Sequence, residues 1–139
     1  MSRVKLLLTL FGGVIGAIMG ELNGFMIALI VFVCVDYATG VMGAICEKKL
    51  NSETGYKGIF RKICIFMVVA IANVVDTYII QEGSTLRTAT IFFYLSNEGI
   101  SIMENAARIG VPIPDKLIGV LEQIGESKND NKKDKKRNV

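Results

Sequence analysis

Apolar stretches separated by short polar breaks run through most of this chain. The longest is Gly24–Cys46, GFMIALIVFVCVDYATGVMGAIC, about as long as a helix needs to cross a bilayer. Leu6–Met19 precedes it and is short for a span, although snorkelling flanks could extend it. Ile63–Ile80 and Thr88–Ala107 follow. The last is less apolar. Thr90, Tyr94, Asn97, Glu98, Ser101, Glu104, Asn105 and Arg108 recur there at three- and four-residue steps, the pattern of a helix with a broad polar stripe. Glu104 and Arg108 also form an i,i+4 pair. The spanning reading is preferred for this helix over one lying in the interface.

The breaks are Glu21–Asn23, Glu47–Lys62 and Gln81–Arg87. Glu47–Lys62 carries five basic residues and turn formers at Asn51, Ser52, Gly55 and Gly58, and reads as a surface loop. Its Gly-x-Lys-Gly lacks the full phosphate-loop pattern and no strand precedes it. Gly110–Pro114 holds both prolines and ends the fourth helix. In Asp115–Ile124, Leu117, Ile118, Leu121 and Ile124 share one face of a short amphipathic helix. It is placed either on the membrane surface or against a neighbouring helix.

The expected fold is an all-α integral membrane protein of about four transmembrane helices, with a short C-terminal amphipathic helix and a disordered basic tail. Residues 1–125 would form the membrane-embedded domain and 126–139 the tail. Composition agrees: the 139 residues are 51% hydrophobic, and the mean hydropathy is +0.45. The net charge of +3 falls wholly after Gly125, in Lys128, Lys132, Lys133, Lys135, Lys136 and Arg137 against Glu126, Asp130 and Asp134. That is a basic terminus, not a nucleic-acid-binding face. Basic residues also mark the amino end and the Glu47–Lys62 loop, so the positive-inside rule places both termini in the cytoplasm. A cleaved signal peptide at the amino end is the weaker reading, because its glycines are regularly spaced and match a cleavage site poorly.

Few residues offer chemistry. There is no His, and Cys34, Cys46 and Cys64 make no metal-binding spacing. No cofactor fingerprint or activated nucleophile stands out, so no cofactor is expected and an enzyme is disfavoured. The polar groups inside apolar stretches are the candidates. Asp36 interrupts the central span, where a carboxylate costs roughly 2.5–3.5 kcal/mol on insertion scales. Thr39, Gly40 and Gly43 continue a small, polar stripe from it. Asp36 is either an interhelical hydrogen-bond partner or a group lining a polar passage. Asn97, Glu98, Ser101 and Glu104 suggest a water-lined or self-associating face. Gly12, Gly16 and Gly20 sit four apart, a spacing suited to close helix packing. Asp76 and Arg87, at similar depth, are expected to form a salt bridge.

Taken in order, Asp36-Tyr37-x-Thr39-Gly40, Lys49-Leu50-x-Ser52-x-x-Gly55-x-Lys57-Gly58, Asn97-Glu98-Gly99-Ile100-Ser101-Ile102-x-Glu104-Asn105 and Gly110-x-Pro112-x-Pro114 resemble the bacteriophage holins of the toxin-secretion/phage-lysis type. These occur in phages and prophages of Gram-positive bacteria. The resemblance runs from about Gly24 through Leu121. It implies a homo-oligomer in the lipid bilayer of the host's cytoplasmic membrane. There it would form lesions that release an endolysin at a set time, with toxin release as a variant of the same device. It implies no catalytic residue. The functional partner would be an endolysin that need not touch the chain, and an antiholin could oppose it. The alternatives are a small membrane channel or transporter, and an antiholin or adaptor without lytic activity.

Overall fold

The computed structural model describes residues 2–126. The expected disordered tail lies outside these residues, apart from Glu126. Five helices follow one another: α1 (Arg3–Met19), α2 (Gly24–Cys46), α3 (Ser52–Val74), α4 (Thr85–Ile109) and α5 (Asp115–Glu126). The end of α3 widens into a π-helical segment, Val75–Ile80. No strand occurs among the described residues.

Side chains in the polar breaks start the helices. Asn23 accepts a hydrogen bond from the Met26 amide at 3.0 Å. Asn51 does the same for Thr54 at 2.8 Å. Each satisfies an amide left unpaired in the first helical turn. The cap at Asn51 corrects the expected loop over Glu47–Lys62. Only Glu47–Asn51 turns; Ser52–Lys62 is the polar first part of α3, supported by a Lys57–Glu53 pair at 2.5 Å.

Two helices are long and apolar enough to cross a membrane: Gly24–Cys46, and α3 with its π-helical end, Ser52–Ile80. The expectation of about four spans is thus met in part. α1 has 17 residues. α4 is longer but carries the polar stripe.

The core joins α2, α3 and α4. Met26, Leu29 and Val33 of α2 pack with Ile65 and Val69 of α3 and Ile91 and Leu95 of α4. The three- and four-residue steps put each set on one helix face. The rings of Phe25 and Phe92 meet at a tilt, 4.9 Å between centroids, near one end, and Glu47 meets Arg108 near the other. α2 and α4 therefore run parallel, with α3 antiparallel to both. α5 folds back along α4. Ser96 Oγ donates to the Leu121 carbonyl at 2.7 Å, and Leu121 sits in the notch at Gly99, where a Cβ would lie 2.7 Å from its methyl. Of the two placements open for this helix, the structure shows packing on a neighbour.

α1 has no buried residue. It joins the bundle through its C-terminal end, whose carbonyls lack intrahelical partners. Asn73 Nδ2 donates to the Ile18 carbonyl at 2.9 Å. Arg87 Nε donates to Met19 at 2.9 Å and its Nη2 to Glu21 at 2.6 Å. A cation at this end also complements the helix dipole. The expected Asp76–Arg87 salt bridge is corrected here. Asp76 instead accepts the backbone amides of Leu86 at 3.1 Å and Arg87 at 2.7 Å, capping the start of α4, because the Arg87 guanidinium is committed to α1. Gly20 is not part of a helix-packing stripe either. It ends α1 at φ +81°, and a Cβ there would lie 2.4 Å from Asn73 Oδ1. Gly12 and Gly16 face open space within the chain.

Gly20→Ala is therefore expected to lower stability by about 1–3 kcal/mol, from the left-handed backbone and the clash. Gly12→Ala should be neutral or slightly stabilising. Thermal unfolding of the two variants in micelles checks the contrast.

Candidate functional site

Asp36 on α2, Lys62 on α3 and Glu98 on α4 converge. Lys62 Nζ donates to both Asp36 Oδ2 and Glu98 Oε2. Asp36 is 7% exposed and Glu98 3%, and the Lys62 side chain 13%. The α3 face that brings Lys62 inward also carries Ile65, Val69, Asn73 and Asp76, at three- and four-residue steps.

The remaining valences of Asp36 go to α4. Asn105 Nδ2 lies 3.0 Å from Asp36 Oδ1 and 3.2 Å from Thr39 Oγ1. Thr39 Oγ1 donates in turn to the Val35 carbonyl at 2.8 Å. The small residues of the α2 stripe leave room for these side chains. A Cβ on Gly40 would sit 3.5 Å from Asn105 Nδ2, and one on Gly43 3.7 Å from Arg108 Cζ. Among the described residues, no buried side-chain nitrogen or oxygen lacks a hydrogen-bond partner.

The arrangement holds one ammonium and two carboxylates away from water. Burying such charges is expensive, and their attraction offsets the cost only while every partner is present. Removing Lys62 leaves two buried carboxylates without a counter-charge, whereas removing one carboxylate leaves a one-to-one ion pair. The cluster is a three-helix clamp that depends above all on Lys62.

Toward the ends of α2 and α4 the clamp opens into a cleft of about 440 Å³. Tyr37, Gly55, Gly58, Arg61, Ser101 and Arg108 are among its walls. At the mouth, Arg108 binds Glu47 through two nitrogens, Nε at 3.0 Å and Nη2 at 2.9 Å, and Lys49 lies 3.4 Å from the same carboxylate. Hydrogen bonds from Arg108 and then Lys49 lower the Glu47 carboxyl to about 2 from its ordinary 4.5. Its contribution to stability is therefore fully present above about pH 4.5 and is lost as pH falls toward 2. Solvent reaches this pair, so the contribution is small.

The structure thus divides the candidate residues. Asp36, Thr39, Gly40, Gly43, Glu98 and Ser101 lie at the clamp or its cleft. Asn97 and Glu104 are exposed on another side of α4. The expected Glu104–Arg108 pair gives way to Arg108–Glu47, whose two-nitrogen geometry is the stronger. Lys62 was missed as a site residue because its charge assigned it to a surface loop; its register with Ile65 and Val69 was the available signal. Cys34, Cys46 and Cys64 are free and exposed on the outer helix faces. No group of three or more His, Cys, Asp or Glu side chains among the described residues could hold a metal ion.

Residues 13–126, from within α1 to the end of α5, match the bacteriophage holin family. This chain belongs to that family. It is similar to a probable holin of Bacillus phage phi105, at 41% identity over 84% of each chain. An uncharacterized protein of Listeria monocytogenes is 38% identical over 89% of this chain and 91% of its own length. An uncharacterized 14.9 kDa protein of Clostridium perfringens, from the nagH 3′ region, is 42% identical over 74% and 78%. No solved structure matches the chain. Holins are membrane proteins, which places the two apolar spans in a bilayer and the clamp between their helices.

Lys62→Met is expected to destabilise this holin-family fold by about 3–5 kcal/mol, because two buried carboxylates lose their counter-charge. Adding Asp36→Asn and Glu98→Gln should recover most of the loss. Denaturant unfolding in micelles, followed by helical circular dichroism, checks both.

Proposed function

We propose that this chain is a holin that accumulates in the host's cytoplasmic membrane and self-associates, at a set time, into lesions that let an endolysin reach the cell wall. Both termini would lie on the cytoplasmic side. The family supports the lytic role, and one structural observation supports self-association. The buried polar groups are satisfied within the chain, yet Asn97 and Glu104 on α4 and Glu122 and Gln123 on α5 remain exposed. Leu121 of α5 and Phe32, well inside the α2 span, both lie against Gly99 of α4. These polar groups therefore sit beside a helix apolar enough to cross the bilayer.

Lipid cannot solvate them. Neighbouring copies or an enclosed column of water can. Asn97 and Glu104, seven residues apart on α4, are thus the candidates for lesion lining. Asp36 and Glu98 act earlier, by holding α2, α3 and α4 together in each copy. α1, exposed along its length, supplies an apolar surface for lipid or for packing between copies.

Timed expression beside a cytoplasmic endolysin that lacks its own export signal tests the reading. Abrupt clearing of the culture that requires both proteins is expected. Glu104→Leu should shift the time of clearing severalfold without reducing the amount of protein in the membrane. Growth arrest without endolysin release would instead indicate a small-ion channel. No effect, with the protein present in the membrane, would indicate an antiholin or adaptor.

A further inference from the structure

The cleft above the clamp lies at the end of the bundle where α2 passes from its apolar run into Glu47, Lys48 and Lys49. With α2 spanning the bilayer, this is the level of the phospholipid headgroups. The walls combine three features that a headgroup needs. The first is unspent positive charge. Asp36 at the floor is taken by Lys62 and Asn105, and Glu47 at the mouth by the two nitrogens of Arg108, which leaves Lys49, 3.4 Å from the same carboxylate with its side chain 76% exposed, as a cation in excess. Arg61 also lines the cleft and pairs with no carboxylate among the described residues. The second is room for close approach, since Gly40, Gly55 and Gly58 form part of the lining and carry no side chain. The volume, about 440 Å³, is that of a small-molecule site. The third is an apolar margin. Val41 and Leu50 line the same cleft, and Met42 and Ile45, on neighbouring turns of α2, are exposed.

We propose that this cleft binds the phosphate-bearing headgroup of an anionic phospholipid, with Arg61 and Lys49 as the principal cations. Basic pockets between membrane helices on the cytoplasmic side suit such headgroups. Arg61 supplies a planar fork that matches phosphate oxygens, and Lys49 a mobile point charge. The depressed carboxyl of Glu47 is consistent with a positive potential at the mouth. Bound there, the lipid would bridge the end of α2 and the start of α3. The inference rests on the membrane placement and not on lesion formation, so a chain that fails to lyse cells can still bind lipid.

The test uses the full chain in neutral-detergent micelles, read by native mass spectrometry. The probes are dioctanoyl phosphatidylglycerol and dioctanoyl phosphatidylcholine. Phosphatidylglycerol is expected to bind about tenfold more tightly, and Arg61→Gln or Lys49→Gln to remove most of that preference. Lys57→Gln, paired with Glu53 away from the cleft, should leave it unchanged. Circular dichroism of each variant confirms folding. Equal binding of the two lipids, or a preference untouched by both cleft variants, would overturn the proposal. Inorganic phosphate at millimolar concentration separates the two sources of the ligand. No displacement supports a lipid, whereas displacement would overturn the lipid assignment in favour of a free phosphate compound.

Discussion

The bundle depends on a single ammonium group placed between two carboxylates. Lys62 comes from α3, Asp36 from α2 and Glu98 from α4, so the interaction cannot form unless all three helices are in register. Apolar contacts are non-directional and specify that register less sharply. A buried charge cannot slip without losing its partner. Asn105 adds hydrogen bonds from a second turn of α4, across the face of α2 that carries Gly40 and Gly43. The same cluster that is costly to insert into lipid is what gives the chain one arrangement of its helices.

A second polar layer closes the other end. Asn73, Asp76 and Arg87 tie the end of α1 to α3 and to the start of α4. Between Arg87 and Glu98, α4 rises about 17 Å at roughly 1.5 Å per residue. The hydrocarbon of a bilayer is about 30 Å thick. The polar layers are therefore closer together than the membrane is thick, and they cannot both sit at opposite interfaces unless the bilayer thins around them. The buried polar side-chain atoms all find partners within the described residues, while Asn97, Glu104, Glu122 and Gln123 are exposed.

Hydropathy made the spans over α2 and α3 legible, and left Asp36 as either an interhelical partner or a passage-lining group, with Glu98 on a water-lined or self-associating face; the structure buries both against Lys62. Hydropathy could not name the partner. Lys62 stands at the edge of an apolar run, next to Arg61, and position by charge put both in one loop. The cap at Asn51 moves the start of the helix back from Ile63 to Ser52, and the two cations then diverge, Lys62 inward and Arg61 to the cleft wall. Asp76 and Arg87 were recognisable as neighbours, but not that Asp76 would cap α4 while Arg87 reached the carbonyls of α1. That exchange depends on Gly20 in a left-handed turn, which spacing along α1 disguised as the end of a packing stripe. The fold-back of α5 depends on Gly99 and Leu121, far apart in sequence, and periodicity within either helix could not join them.

The clamp can be observed in the membrane itself. With nitrogen-15 at the lysine side-chain amines and carbon-13 in the aspartate carboxyl groups, solid-state NMR of the chain in lipid bilayers reports Lys–Asp ion pairs. Among the described residues only Lys62 and Asp36 make one. A strong dipolar coupling, corresponding to a separation within about 4 Å, is expected and should vanish in Asp36→Asn. A bilayer sample with no such coupling, at full helical content, would contradict the account.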